Sequence, residues 1–176
     1  MQNTQVEARI MGQIIGVLSD SHGRWQRTRA AITALASRGA TRFVHLGDVG
    51  SEQVLDMFAG LDATVVFGNC DDERPLHRYA DFLGIETKHP AGVVTCGEKT
   101  IGVTHGHLPE AIDFLLGEHV DYLLSGHSHE AHDQRVGATR CMNPGALDRA
   151  RRFTVLLLEP ESGAAEWIEV GESDAL

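Results

Sequence analysis

Short apolar runs alternate with polar loops along the chain. Residues 13–18 (QIIGVL) are apolar and partly β-branched, which predicts a strand, and the polar SDSHG follows. Over 25–38, apolar residues recur at helical spacing (Trp25, Ala31, Ile32, Leu35, Ala36), and Gly39 is placed to close that helix. FVHL (43–46) predicts a second strand, running into Gly47 and Asp48. EQVLDMFAG (52–60) predicts a second helix, with Ser51 as its cap and Val54, Leu55 and Phe58 on one face. ATVVF (63–67) predicts a third strand, ending in GNCDD. Strands separated by helices in this way give the βαβαβ pattern of a parallel α/β sheet. Ligands of such sheets bind outside the carboxyl ends of the strands, so the DSH, GD and GNCDD loops would share one edge.

Strands dominate the rest. AGVVTC (91–96) and KTIGVT (99–104) flank a CGE turn and predict a hairpin. LPEAIDFLLGE (108–118) predicts a helix with Pro109 in its first turn. VDYLLS (120–125) predicts a strand running into GHSHE, and one strand each is predicted over 134–144, 152–159 and 164–170. The unbroken run Val155, Leu156, Leu157, Leu158 calls for burial on two sides or for an interface. This shift fits two packed sheets in one domain, expected over 12–172, with tails at 1–11 and 173–176.

Composition narrows the function classes. With 42% hydrophobic and 23% charged residues in 176, the chain is neither disordered nor low-complexity. No apolar run approaches the roughly 20 residues of a membrane span, and no basic-then-apolar leader opens the chain, so a cytoplasmic protein without a membrane partner is expected. A net charge of −10 argues against long nucleic acid as a partner. Cys70, Cys96 and Cys141 are odd in number and widely spaced, unlike a disulfide framework or a zinc–thiolate site.

Five polar clusters fall at the ends of predicted strands: Asp20-Ser-His22, Gly47-Asp48, Gly68-Asn69-Cys70-Asp71, His105-Gly-His107 and Gly126-His127-Ser-His129. Taken singly each has a plainer reading: Asp20 as a helix cap, Asp48 and Asn69 as turn formers, the His pairs as solvated turns. Taken together they are a ligand set. Alternate residues of an extended segment face the same way, so each x-separated pair can serve one cavity. Oxygen and imidazole donors without thiolate suit Mn, Fe, Zn, Co or Ni. Six or seven such donors exceed one tetrahedral site and point to two ions sharing a carboxylate.

In the order DxH, GD, GNCD, HGH, GHSH, followed by NPG (143–145), the chain resembles the calcineurin-like metallophosphoesterase superfamily. Within it, the chain is similar to the small phosphodiesterase branch that also resembles the retromer scaffold subunit. The resemblance implies a four-layer α/β fold, two β-sheets packed as a sandwich with flanking helices. It implies a first metal held by Asp20, His22 and His129, a second by Asn69, His105 and His127, and Asp48 bridging them. It implies hydrolysis of small phosphodiesters by a hydroxide bridging two divalent metal ions, manganese foremost, with nickel, cobalt, iron and zinc open. Asp48 and Asn69 would be catalytic. His107, not a ligand in the family pattern, would act in catalysis or touch substrate beside Asn69 and Cys70.

One departure bears on substrate. Many phosphomonoesterases of the superfamily have His where this chain has Cys70, although Asp71 remains. A thiol with an unperturbed pKa of about 8.5 is a poor general acid, so diesters or esters with good leaving groups are expected. Ala146 follows NPG where the family often has Ser. Arg149, Arg151 and Arg152 either hold a substrate phosphate or form a solvated loop. His45 is expected packed or behind the site, and His77, His89, His119 and His132 at the surface. A non-catalytic scaffold of the same fold, a phosphomonoesterase and a homo-oligomer stay open.

Overall fold

The computed structural model describes residues 13–171; the tails expected at 1–11 and 173–176 lie outside the described residues. Strands β1 (Ile15–Leu18), β2 (Arg42–His45) and β3 (Asp62–Val65) pair in parallel and in sequence, as the alternation of strands and helices predicted. Helix α1 (Trp25–Ala36) joins the first two. It closes on Gly39, whose φ is +98, with the Gly39 amide donating to Ala36 O at 3.0 Å and the Ala40 amide to Leu35 O at 3.1 Å. Glycine suits that left-handed position because it has no Cβ to clash.

Five local readings differ from the structure. Helix α2 is only Glu52–Asp56, because the amides of Met57 and Phe58 turn back to Val54 O and Leu55 O, tightening the chain past the α-helical register. Ser51 sits at its N-terminus but makes no side-chain cap. Asp20 caps no helix either, since α1 starts at Trp25 behind Arg24. Residues 134–144 form not one strand but the hairpin β8 (His132–Val136) and β9 (Thr139–Asn143), turning at Gly137. Helix α3 (Glu73–Leu83) and the short β4 (Glu86–Thr87) fall where no element was expected.

The first sheet has six strands in the order β11-β10-β1-β2-β3-β4, with β10 (Thr154–Glu159) and β11 (Ala164–Glu169) antiparallel on one edge. The second has five, in the order β5-β6-β7-β9-β8, where β5 (Ala91–Cys96) and β6 (Lys99–Thr104) form the expected hairpin. Strands β6, β7 (Tyr122–Leu124) and β9 run parallel, and α4 is Pro109–Gly117.

Three apolar layers hold this together. Ile15, Val17, Val44 and Leu46 meet Ile101, Val103, Leu124 and Met142 between the sheets. Leu35, Val54, Phe58, Leu76 and Ala80 cover the outer face of the first sheet, and Leu115 covers the second. Each buried Val, Leu, Ile, Phe or Met among them contributes roughly 1.5–3 kcal/mol. Val155 faces the helices while Leu156 and Leu158 face the other sheet, so the apolar run of β10 is explained by burial on both sides.

Candidate active site

Parallel strands deliver their carboxyl ends to one edge, and the two sheets deliver theirs to the same place. Asp20, Asp48 and Asn69 follow β1, β2 and β3 of the first sheet; His105 follows β6, and His127 and His129 follow β7 of the second. Adjacent loops are zipped by backbone bonds: the Asp20 amide donates to Gly47 O (3.0 Å), that of His22 to Asp48 O (2.8 Å), and that of Gly126 to His105 O (2.9 Å).

Asp20, His22, Asp48 and His129 form a tight group whose candidate ligand atoms lie within 4.8 Å of one another. Asp20 is fully buried. Its Oδ2 accepts from Ser19 Oγ (2.5 Å) and the His127 amide (3.1 Å), whereas Oδ1 has no hydrogen-bond donor. That bare oxygen faces His129 Nε2 at 3.1 Å. His129 gives its Nδ1 proton to the Arg149 carbonyl (3.2 Å), so in the neutral ring Nε2 holds a lone pair. His22 Nε2 lies 3.4 Å from His129 Nε2 and 3.6 Å from Asp48 Oδ2. Acceptors thus point at acceptors in a buried space, and this donor set fits a divalent cation.

Asn69, His105, His107 and His127 are arranged more loosely. His105 is buried and donates from Nδ1 to Leu46 O (2.8 Å), leaving Nε2 facing Asn69 Oδ1 (3.2 Å) and Asp48 Oδ1 (3.5 Å). The His127 ring is 5.1 Å from that of His105, and both Asn69 and His127 are exposed. The His107 ring stands 5.3 Å from His105 and 6.1 Å from His127, with Nδ1 buried and unpartnered. Asp48 lies between the groups, Oδ2 toward His22 and Oδ1 toward His105. Burial alone would raise its pKa, but the neighbouring His105 imidazole and the hydrogen bond from the Cys70 amide hold it well below the usual carboxylate range. Burial, then the charges of His105 and His127, lower the pKa of His107. Partial burial and the Asp48 carboxylate push the exposed Cys70 thiol up.

Backbone strain concentrates here. Asp20 (φ 54), His22 (43), Asp48 (52), His127 (67) and His129 (59) all occupy the left-handed region. That conformation costs a non-glycine residue roughly 1–2 kcal/mol, and the interlocked loops enforce it. Gly68 shows the closeness of the fit: a Cβ there would collide with Asp48 Oδ1 and meet the Asp48 amide at 2.5 Å.

The model of the calcineurin-like phosphoesterase superfamily domain matches residues 14–163. The chain belongs to this superfamily. It is 27% identical over 136 residues to a phosphodiesterase of Methanocaldococcus jannaschii, covering 74% of this chain and 82% of that protein. Among solved structures, an archaeal phosphodiesterase superposes with a TM-score of 0.79 at 23% identity, over 89% of this chain and 99% of that one. Wild-type Vps29 of Entamoeba histolytica in complex with zinc superposes at 0.61 and 19% identity, over 90% and 100%. These phosphodiesterase and Vps29-type matches agree with the branch inferred from the motifs.

In this superfamily member, His45, packed behind the site as expected, and two further residues make contacts between loops that the motifs did not reveal. His45 is fully buried: Gly47 donates its amide to Nδ1 (3.2 Å), and Nε2 meets Ser21 Oγ (2.8 Å), so the ring braces the DSH loop against the GD loop. Burial pulls its pKa down to about 3. The Asp71 carboxylate gathers the amides of Val49, Gly50 and Gly68, tying the GNCD loop to the loop after the second strand. Asn143 donates to Gly126 O (2.8 Å) and Ser128 Oγ (3.1 Å), steadying the GHSH loop from the adjacent strand. The DxH and NPG spacing marked these loops but not the contacts between them. His119 is exposed as expected, while His89 is half-buried against Phe67 and Glu73.

Proposed function

We propose that the chain is a metal-dependent phosphodiesterase of small diesters, with Asp20, His22 and His129 at one divalent ion, Asn69, His105 and His127 at a second, and Asp48 shared. The observation behind this reading is the position of Asp48, which offers one carboxylate oxygen to each group. Two divalent ions, manganese foremost, would supply acidification of a water nucleophile and positive charge to offset that of the phosphoryl oxygens. The protein's part is positional. Leu46 O and Arg149 O fix the ring orientations of His105 and His129, and Asp48 stays ionised throughout the working pH range. His107 donates a hydrogen bond to a phosphoryl oxygen beside Asn69. Neither His107 nor the protonated Cys70 thiol is a strong acid, which favours diesters with stable leaving groups over monoesters. The three unpaired cysteines agree with a reducing, cytoplasmic setting.

The test is side-by-side hydrolysis of an aryl phosphodiester and the matching monoester. Metal-stripped protein is reloaded with Mn, with Asp48→Asn as control. Mn-dependent diester cleavage that disappears in the variant is expected. Preference for the monoester contradicts the diester assignment, and no turnover in a fully metal-loaded protein moves the reading to a scaffold of this fold.

A further inference from the structure

A cleft of about 670 Å³ opens beside His129, lined by Glu130, Arg149, Arg151, Arg152 and Trp167. We propose that this cleft is a subsite for a second phosphate group on one arm of the diester substrate; the proposal rests on the phosphodiesterase reading of the neighbouring site.

Charge is the first argument. The chain carries a net charge of −10, yet three guanidinium groups and only one carboxylate, Glu130, line this cleft. Arg149 has an acidic neighbour, Asp148, with 3.7 Å between Nε and Oδ2. Asp148 is already engaged by Arg24 at 3.1 Å and Arg27 at 3.8 Å. Among the described residues the exposed side chains of Arg151 and Arg152 have no ion pair. A concentration of unpaired positive charge in an acidic protein is costly by self-repulsion and is relieved by an anion. The planar guanidinium fork matches phosphate oxygens two at a time.

Construction is the second argument. The arginine loop is wired into the candidate active site, not appended to it. The Arg149 carbonyl accepts from His129 Nδ1 (3.2 Å), and Arg149 itself is held at φ 53. On the far wall, the Trp167 indole donates to Asn143 O (2.8 Å), and the same Asn143 side chain holds the loop bearing His127 and His129. The indole N–H is thereby satisfied, leaving Trp167 to present apolar ring surface to the cleft. A volume of this size accommodates a sugar phosphate arm. Because His129 both belongs to the group around Asp48 and lines the cleft, a second phosphate among the arginines would belong to the same molecule as a diester phosphate at the Asp48 centre.

The experiment compares thymidine 5′-(p-nitrophenyl phosphate) with its 3′-phosphorylated counterpart. The two share a leaving group and differ by one phosphate. Wild-type Mn-loaded protein is expected to favour the 3′-phosphorylated substrate by about 10–100-fold in kcat/KM, mainly through KM, with Arg151→Gln/Arg152→Gln bringing the ratio to about one. Equal kcat/KM for the two substrates in wild type, or a preference that survives in the variant, overturns the proposal. Calorimetric binding of thymidine 3′,5′-bisphosphate against thymidine 5′-monophosphate provides a readout independent of turnover. If bis(p-nitrophenyl) phosphate and both nucleotide esters resist hydrolysis, the phosphodiesterase reading fails. The subsite then stands if the bisphosphate binds more tightly through Arg151 and Arg152, and falls if the two ligands bind alike.

Discussion

Asp20, His22, Asp48 and His129 converge in a mostly buried space where every backbone turn is strained and every loop is hydrogen-bonded to the next. Asn69 and His127, across Asp48, are exposed, and His105 is the buried side chain on their side of the site. The difference separates two tasks. On the two-ion proposal, the closed group is preorganised and would hold an ion without rearrangement, while the open group would leave room for water and substrate at the second ion. A site built for storage or structure would close both.

Asp48 belongs to both groups, so its loss erases the distinction and is the largest effect expected. Asp48→Asn lowers kcat/KM by about 10³-fold or more and reduces metal content measured by elemental analysis. A variant retaining full metal content and activity would falsify the shared-carboxylate arrangement. Gly68→Ala tests the same carboxylate indirectly, because the new methyl must displace Asp48 Oδ1. Activity is expected to fall about 10²–10³-fold; an unchanged rate means that the contact between Gly68 and Asp48 relaxes freely.

Asn69→Ala strikes the open group alone. Activity should fall about 10²-fold while the closed group keeps its ion, and elemental analysis of the purified variant is expected to show one equivalent of metal, not two. Loss of both ions would show that the halves do not act separately. Chelation is the gentler version: graded EDTA should lower the melting temperature in two steps, the open group emptying first, with a total of roughly 3–4 kcal/mol at saturating metal. A single step contradicts unequal halves.

His45 is tested through the pH dependence of stability. Its folded pKa of about 3 lies below the unfolded value of about 6.5. The unfolded chain therefore binds a proton in this window that the folded chain refuses. Stability from this group is full above pH 6.5 and declines as pH falls toward 3, by up to about 1.4 kcal/mol per pH unit. Denaturant melts of wild type and His45→Gln between pH 4 and 7 should show the shallower slope in the variant. Parallel slopes would mean that the His45 ring is protonated in the fold.

Much of this was legible in the chain. Asp20, Asp48 and Asn69 stand directly after β-branched or apolar runs, and those runs pair in parallel because both faces of the sheet are covered. The layered core follows from the same runs, as the alternation of Val155 and Leu156 between two apolar layers shows. Helix α3 was hidden by Pro75, which reads as a breaker but sits in the first turn, where a missing N–H costs little. Strand β8 was hidden because it is an edge strand with four exposed residues and no apolar alternation. The functions of His45, Asp71 and Asn143 could not be read from spacing, since each acts by bonding to a loop from a different strand.

The most direct test of the unequal, joined halves is a calorimetric titration of Mn²⁺ into metal-stripped wild type and Asn69→Ala. Two classes of binding are predicted in the wild type, with the weaker class alone missing from the variant. A single class in the wild type, or loss of the tighter class in Asn69→Ala, would contradict the account.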